Sequence, residues 1–229
     1  MKIGIIGAMD KELQPLRMVF EGSQVVVEKC GIGKVNAALG VQRMISEQKP
    51  DIIISSGCAG GNGDEVNVQD VVVSTELAYH DVYCGTAIDS TTQYGQVQGL
   101  PARFQADAYL LEKARSLSIR SEEGQPFGGS GEGRQQPKVI PGLIVTGDWF
   151  VDSKEKMRSI IELFPDARAV DMESAAIAHT CYLAHVPFIS FRVVSDIPLR
   201  DTNASQYHDF WSRVAAQSFR LTRTYVESL

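Results

Sequence analysis

The sequence predicts one α/β domain built on a largely parallel sheet with helices on both faces. Three observations lead there. Short runs rich in Val and Ile recur along the chain, stretches with apolar residues three and four apart fall between them, and the runs are continuous rather than alternating. Continuous apolar strands belong in sheets buried on both sides, and alternation with helices makes the crossovers parallel. The chain, 229 residues at 44% hydrophobic and 22% charged, is large enough for one substantial core, so a single domain over 1–229 is expected.

Taken in order, "KIGIIGA" (2–8) reads as a buried strand and "DKELQPLRMVF" as the helix after it. "SQVVVEK" is a strand, and "KVNAALGVQRMISEQ" (34–48) repeats apolar residues at helical spacing. "DIIISS" (51–56) and "DVVVST" (70–75) are strands, 107–118 a helix, and "KVIPGLIVTG" (138–147) contains a strand. A helix is expected over 153–163, a short apolar pair at 169–170, a small-residue helix over 173–185 and a strand over 187–195. A terminal helix over about 205–227 would carry Tyr207, Phe210, Trp211, Val214, Ser218 and Leu221 on one stripe. Against this pattern, "RSEEGQPFGGSGEGRQQPK" (120–138) nearly lacks apolar residues and is expected to be a flexible surface loop.

Net charge is −6 with no Lys/Arg-rich run, which argues against nucleic acid or an anionic membrane bound through a basic face. The four cysteines are scattered without a C-x-x-C pair, as suits reduced thiols. "IGIIGAM" is too short for a signal-peptide core, and no apolar run reaches the length of a membrane span. A soluble, cytoplasmic protein is expected.

In open α/β sheets ligands bind beyond the carboxyl ends of strands, so the residues after each run carry the functional information. Met9, Asp10 and Glu12 follow the first strand, "CGIGK" the second and "GCAGGNG" the third. "GDWFV" follows 140–146, "DMES" follows 169–170 and "SDIP" follows 188–194. Together these describe a sheet edge with three separated carboxylates (Glu12, Glu173 and Asp196), two glycine-rich loops and one large ring. Taken alone, "DMES" reads first as a helix start, with Asp171 as cap and Glu173 in a first turn that favours acids. "GCAGGNG" alone is equally a tight turn.

Other chemistries find less support. "GIGKVNAALG" has Asn36 where a dinucleotide fingerprint wants Gly or Ala, and no phosphate-gripping G-x-x-x-x-G-K-[ST] occurs. The four histidines (His80, His179, His185 and His208) show no metal-ligand spacing. No G-x-S-x-G elbow occurs and Cys58 has no base beside it in sequence, which disfavours a covalent hydrolase.

The segments "MKIGIIGAMDKEL", "GIGKVNAALG", "SGCAGG", "YHD", "GDWFV", "AVDMESAAIAH" and "FRVVSDIP", in this order over nearly the whole chain, resemble the 5′-methylthioadenosine/S-adenosylhomocysteine nucleosidase family of the nucleoside phosphorylase superfamily. The resemblance implies a three-layer αβα sandwich with a mixed, mostly parallel, partly barrel-like central sheet, assembled as a homodimer. It implies hydrolysis of the N-glycosidic bond of these adenine nucleosides, and of 5′-deoxyadenosine, with no metal or organic cofactor. By the same resemblance Glu12 activates water, Asp196 protonates adenine with Ser195 in support, and Arg192 stands near Glu12 and the water. Met172 and Glu173 would hold the ribose hydroxyls, Phe150 would stack on adenine, and the Val151 backbone would read its edge. Cys58, Ala59 and Gly60 would line base and sugar, and Met9, Ile32 and Tyr207 would surround the 5′ substituent.

The chemistry calls for such residues independently. An oxocarbenium-like transition state needs a protonated leaving group, an activated water and nearby negative charge. Three departures from the family pattern stand out: a short 20–30 region, Cys58 where Ser is usual, and the 120–138 insertion. The rival activities are phosphorolysis, which would need cations where Glu12 stands, aminofutalosine hydrolysis, and nucleoside binding by a catalytically impaired homologue.

Overall fold

The computed structural model describes residues 1–63, 65–83, 92–117, 138–200, 210–211 and 219–229. The expected 120–138 loop, save its last residue, and most of the expected 205–227 helix lie outside them. Helices α1 (Asp10–Phe20) and α2 (Lys34–Gln48) form where the helical spacing places them, as do α3 (Ala108–Arg115), α4 (Lys154–Leu163) and α5 (Ser174–Ala184). Asp107 and Ser153 cap α3 and α4 by accepting the N–H groups of Leu110 and Lys156. Within the terminal stretch, α6 covers Arg220–Glu227.

The strands are β1 (Ile3–Gly7), β2 (Val25–Lys29), β3 (Ile52–Gly61), β4 (Val71–Tyr79), β5 (Phe104–Gln105), β6 (Val139–Thr146), β7 (Ala167–Asp171) and β8 (Phe188–Asp196). They form one sheet in the order β2-β1-β3-β7-β6-β4-β5, with β8 pairing both β3 and β4. β3, β8, β4, β6 and β7 therefore close on themselves, which makes the sheet partly a barrel. Pairing is parallel except for β3 with β7, β4 with β5 and β4 with β8. The short 20–30 region carries the edge strand β2, paired to β1 along its whole length.

Alternation along each strand separates two layers of core. Ile3, Ile5, Ile52, Ile54, Val71, Val73, Ile189 and Phe191 face α1, α3 and α6 through Leu13, Leu16, Leu110, Leu221 and Tyr225. Ile6, Ile53, Val72, Phe188 and Val194 face α2 and α5 through Ala37, Val41, Met44, Ala178 and Cys181. A smaller cluster seats α4, through Met157 and Ile160, on Val145 and Val170. Burying each such aliphatic side chain contributes roughly 1.5–3 kcal/mol.

β4 and β7 run longer than the sequence reading has them, to Tyr79 and over Ala167–Asp171, and two further features differ. "GCAGG" is not a turn, because β3 continues through it to Gly61. Non-local pairing imposes this: the segment runs parallel to β8, with a register shift at Ala59/Gly60, and its end meets β7 antiparallel. β5, only two residues long, was not foreseen.

Candidate active site

Glu12 stands in the first turn of α1, and its carboxylate folds back over the strand-to-helix turn. Oε2 accepts the N–H groups of Ala8 at 3.1 Å and Met9 at 2.9 Å. From β3, Cys58 donates to Oε1 with its backbone N–H at 3.1 Å and its thiol at 3.4 Å. These donors fix the side chain, which is buried. Burial, reinforced by the Glu12 carboxylate, pushes the Cys58 thiol well above its ordinary range, so it stays a protonated donor.

Arg192 is a fully buried residue of β8. Its Nε donates to Oδ2 of Asp171 at 2.6 Å and its Nη2 to Oγ of Ser55 at 3.0 Å, while Nη1 has no hydrogen-bond partner among the described residues. Burial opposes the guanidinium's charge, but the Asp171, Glu173 and Glu12 carboxylates together raise it above the usual arginine range. Gly57 lets the free corner approach the Glu12 carboxylate. A Cβ there would stand 2.5 Å from Nη1 of Arg192 and 3.0 Å from Oε1 of Glu12. Carboxylate and guanidinium thus face each other over a bare backbone, about one water apart. Gly57→Ala should force the guanidinium aside and lower the rate of any reaction that uses this pair by roughly 100-fold, since misplacement by about 1 Å costs that much. A steady-state assay on the folded variant checks it.

Asp171, expected as a helix cap, does more. It accepts the N–H of Ser174, the first residue of α5, at 3.1 Å, and also the hydroxyl of Thr146 at 2.5 Å. With Arg192 on the same carboxylate, its chief role is as the buried counter-ion. Glu173 is the N-cap residue of α5, yet its side chain makes no cap bond and turns instead to α2, where Oε1 accepts the Gly33 N–H at 3.0 Å. Burial and the neighbouring Asp171 raise its pKa to about 7, against the pull of Arg192 and the Gly33 N–H.

Asp196 ends β8. Burial raises it to about 6, although a hydrogen bond from Ser195 works the other way. Oγ of Ser195 lies 2.7 Å from Oδ1 of Asp196 and 3.2 Å from the Ala59 carbonyl. Its single proton can serve the ionised carboxylate, or turn to the carbonyl and leave Oγ to accept from the protonated acid. This pairing accommodates a carboxyl group that gives up a proton and regains it.

One cavity collects these groups. Met9, Glu12, Ile32, Cys58, Ala59, Gly60, Phe150, Val151, Met172, Glu173, Ser195 and Asp196, all expected from the sequence, line it. Arg192 is not among the lining residues and reaches the site through Gly57 and Asp171, while Tyr207 lies outside the described residues. Ala8, Trp149, Val170 and Asp171 also line the cavity and were not foreseen. Trp149 had a signal, as the other ring of "GDWFV". Among the described residues no group of three His, Cys, Asp or Glu side chains could hold a metal ion, and no helix is long and apolar enough to cross a membrane.

The chain is similar to known proteins over its whole length. The family described as the phosphorylase superfamily matches residues 16–227. A 5′-methylthioadenosine/S-adenosylhomocysteine nucleosidase of Anoxybacillus flavithermus is 36% identical over 247 aligned positions, covering 100% of this chain and 99% of that protein. The nucleosidase of Neisseria meningitidis, solved in complex with methylthio-immucillin-A, superposes with a TM-score of 0.84 at 36% identity over 100% of both chains. The nucleosidase of Colwellia psychrerythraea, solved with adenine, gives 0.84 at 31% identity over 100% of this chain and 96% of that one.

Proposed function

The chain belongs to the 5′-methylthioadenosine/S-adenosylhomocysteine nucleosidase family, and from that premise we propose that it hydrolyses both nucleosides, and 5′-deoxyadenosine, by the residues gathered in its cavity. The observation that carries the reading is the meeting of Glu12 and the unpartnered Nη1 of Arg192 over Gly57. A water between them gives its proton to Glu12 and attacks the anomeric carbon. Asp196 delivers a proton to N7 of adenine, which otherwise leaves poorly, and the raised carboxyl suits that task. Glu173, with Met172 beside it, binds the ribose hydroxyls and offsets the oxocarbenium charge. Phe150 stacks on adenine, the Val151 backbone reads the base edge, and Met9 and Ile32 face the 5′ substituent together with Tyr207.

The reading carries a pH dependence. Asp196 acts protonated, so kcat/KM falls as pH rises through about 6 and the acid ionises. Because Ser195 lowers this pKa, Ser195→Ala should shift the falling limb to higher pH. A pH profile of kcat/KM for both proteins checks the direction.

Exposed apolar residues on two helices packed together, Val35 and Leu39 of α2 with Tyr182 and Leu183 of α5, support a homodimer. Methionine salvage in the cytoplasm is the setting that this reading assigns to the enzyme. Adenine release from methylthioadenosine, S-adenosylhomocysteine, 5′-deoxyadenosine and aminofutalosine, compared in one assay, tests the substrate assignment. Turnover of aminofutalosine alone, or tight binding with no release from any of the four, would overturn it.

A further inference from the structure

The "YHD" segment at 79–81 has no task in the chemistry above. Asp81, whose side chain is 10% exposed, holds both oxygens 2.7 Å from Nζ of Lys34, the first residue of α2. Oδ2 of Asp81 also accepts the backbone N–H of Asp148 at 2.8 Å. Asp148 returns the contact. Its Oδ1 accepts the Lys34 N–H at 2.8 Å, and its Oδ2 lies 3.8 Å from the Lys34 ammonium. That backbone bond caps α2, whose own cap residue, Gly33, has no side chain to offer. Gly33 adopts a φ of 92°, and a Cβ there would crowd Oδ1 of Asp148 at 3.0 Å. The end of β4, the start of α2 and the connection from β6 to α4 are thus fastened at one point.

The consequence lies one residue further on. Trp149 and Phe150 follow Asp148 directly and line the cavity, although they are 42% and 55% exposed. The ring of His80 packs edge-on against Trp149, with centroids 5.2 Å apart. On the other side of the clasp, Gly33 donates the N–H that orients Glu173. An ion pair this sheltered constrains geometry more than one on open surface does.

We propose that Lys34, Asp81 and Asp148 are positioning residues, which hold the Trp149–Phe150 wall at the spacing from the carboxylates that a purine nucleoside requires. The clasp sets nucleoside affinity and leaves the chemical step to Glu12 and Asp196. Its ligand rests on the nucleosidase reading, whereas its effect on Trp149 does not.

The test uses Asp81→Asn, Lys34→Met and Lys34→Arg in a Trp211→Phe background, which leaves Trp149 as the sole tryptophan of the two in the chain. Asp81→Asn and Lys34→Met should raise KM for methylthioadenosine by about tenfold with kcat within about twofold, and should make Trp149 fluorescence more readily quenched by acrylamide. Lys34→Arg, which can still grip Asp81 with two donors, should restore most of both properties. Unchanged quenching, or a fall in kcat at constant KM, would overturn the proposal. A parent protein that releases no adenine would instead sink the nucleosidase reading, and the quenching result would still decide whether the clasp holds the wall.

Discussion

Glu12→Gln keeps nucleoside binding and loses roughly 10²- to 10⁴-fold in kcat, the usual contribution of a positioned general base. The two side chains are nearly isosteric, so the cavity keeps its shape. Both oxygens of Glu12 accept backbone N–H groups, from Ala8 and Met9 on one side and Cys58 on the other. Either orientation of the amide therefore sets its NH2 against at least one donor, and a modest drop in melting temperature accompanies the kinetic loss. Equilibrium titration with a nucleoside analogue beside a turnover assay separates the two effects. Turnover near the parent's value would remove Glu12 as the base.

Asp196→Asn loses a similar factor, and selectively. Asparagine can still accept the Ser195 hydroxyl but has no proton to give, so cleavage of adenine nucleosides collapses. A synthetic riboside whose leaving group departs without protonation is spared. The variant should also hold its stability better in alkaline buffer. The folded-state pKa of Asp196 is raised to about 6, so the protonated form is favoured by folding. That contribution is full below the unfolded pKa and is lost as pH rises through about 6. An amide has no such loss. Equal damage to both substrate types would show that leaving-group protonation lies elsewhere.

What the sequence disclosed follows a physical division. α1 and α2 occupy Asp10–Phe20 and Lys34–Gln48, the stretches the apolar spacing marks, because helices are specified locally. β3 was cut short since "GCAGG" has the composition of a turn. Its strand geometry comes from β8 and β7, which no local window contains. Most of the cavity was legible because an α/β sheet gathers its strand ends at one edge, and unusual residues there stand out. Asp171 was read as a cap since that local role suffices to explain an acid at a helix start. Its pairing with Arg192 spans 21 residues and appears only once β7 and β8 are assembled. The clasp was equally hidden, because Lys34 meets Asp81 and Asp148 across 47 and 114 positions.

The central claim is that water, activated by Glu12, attacks the anomeric carbon. Its most direct test follows methylthioadenosine cleavage with and without inorganic phosphate and identifies the sugar product. The account predicts the same rate of adenine release in both buffers, with free 5-methylthioribose as the co-product. Release that requires phosphate and yields 5-methylthioribose-1-phosphate would contradict it.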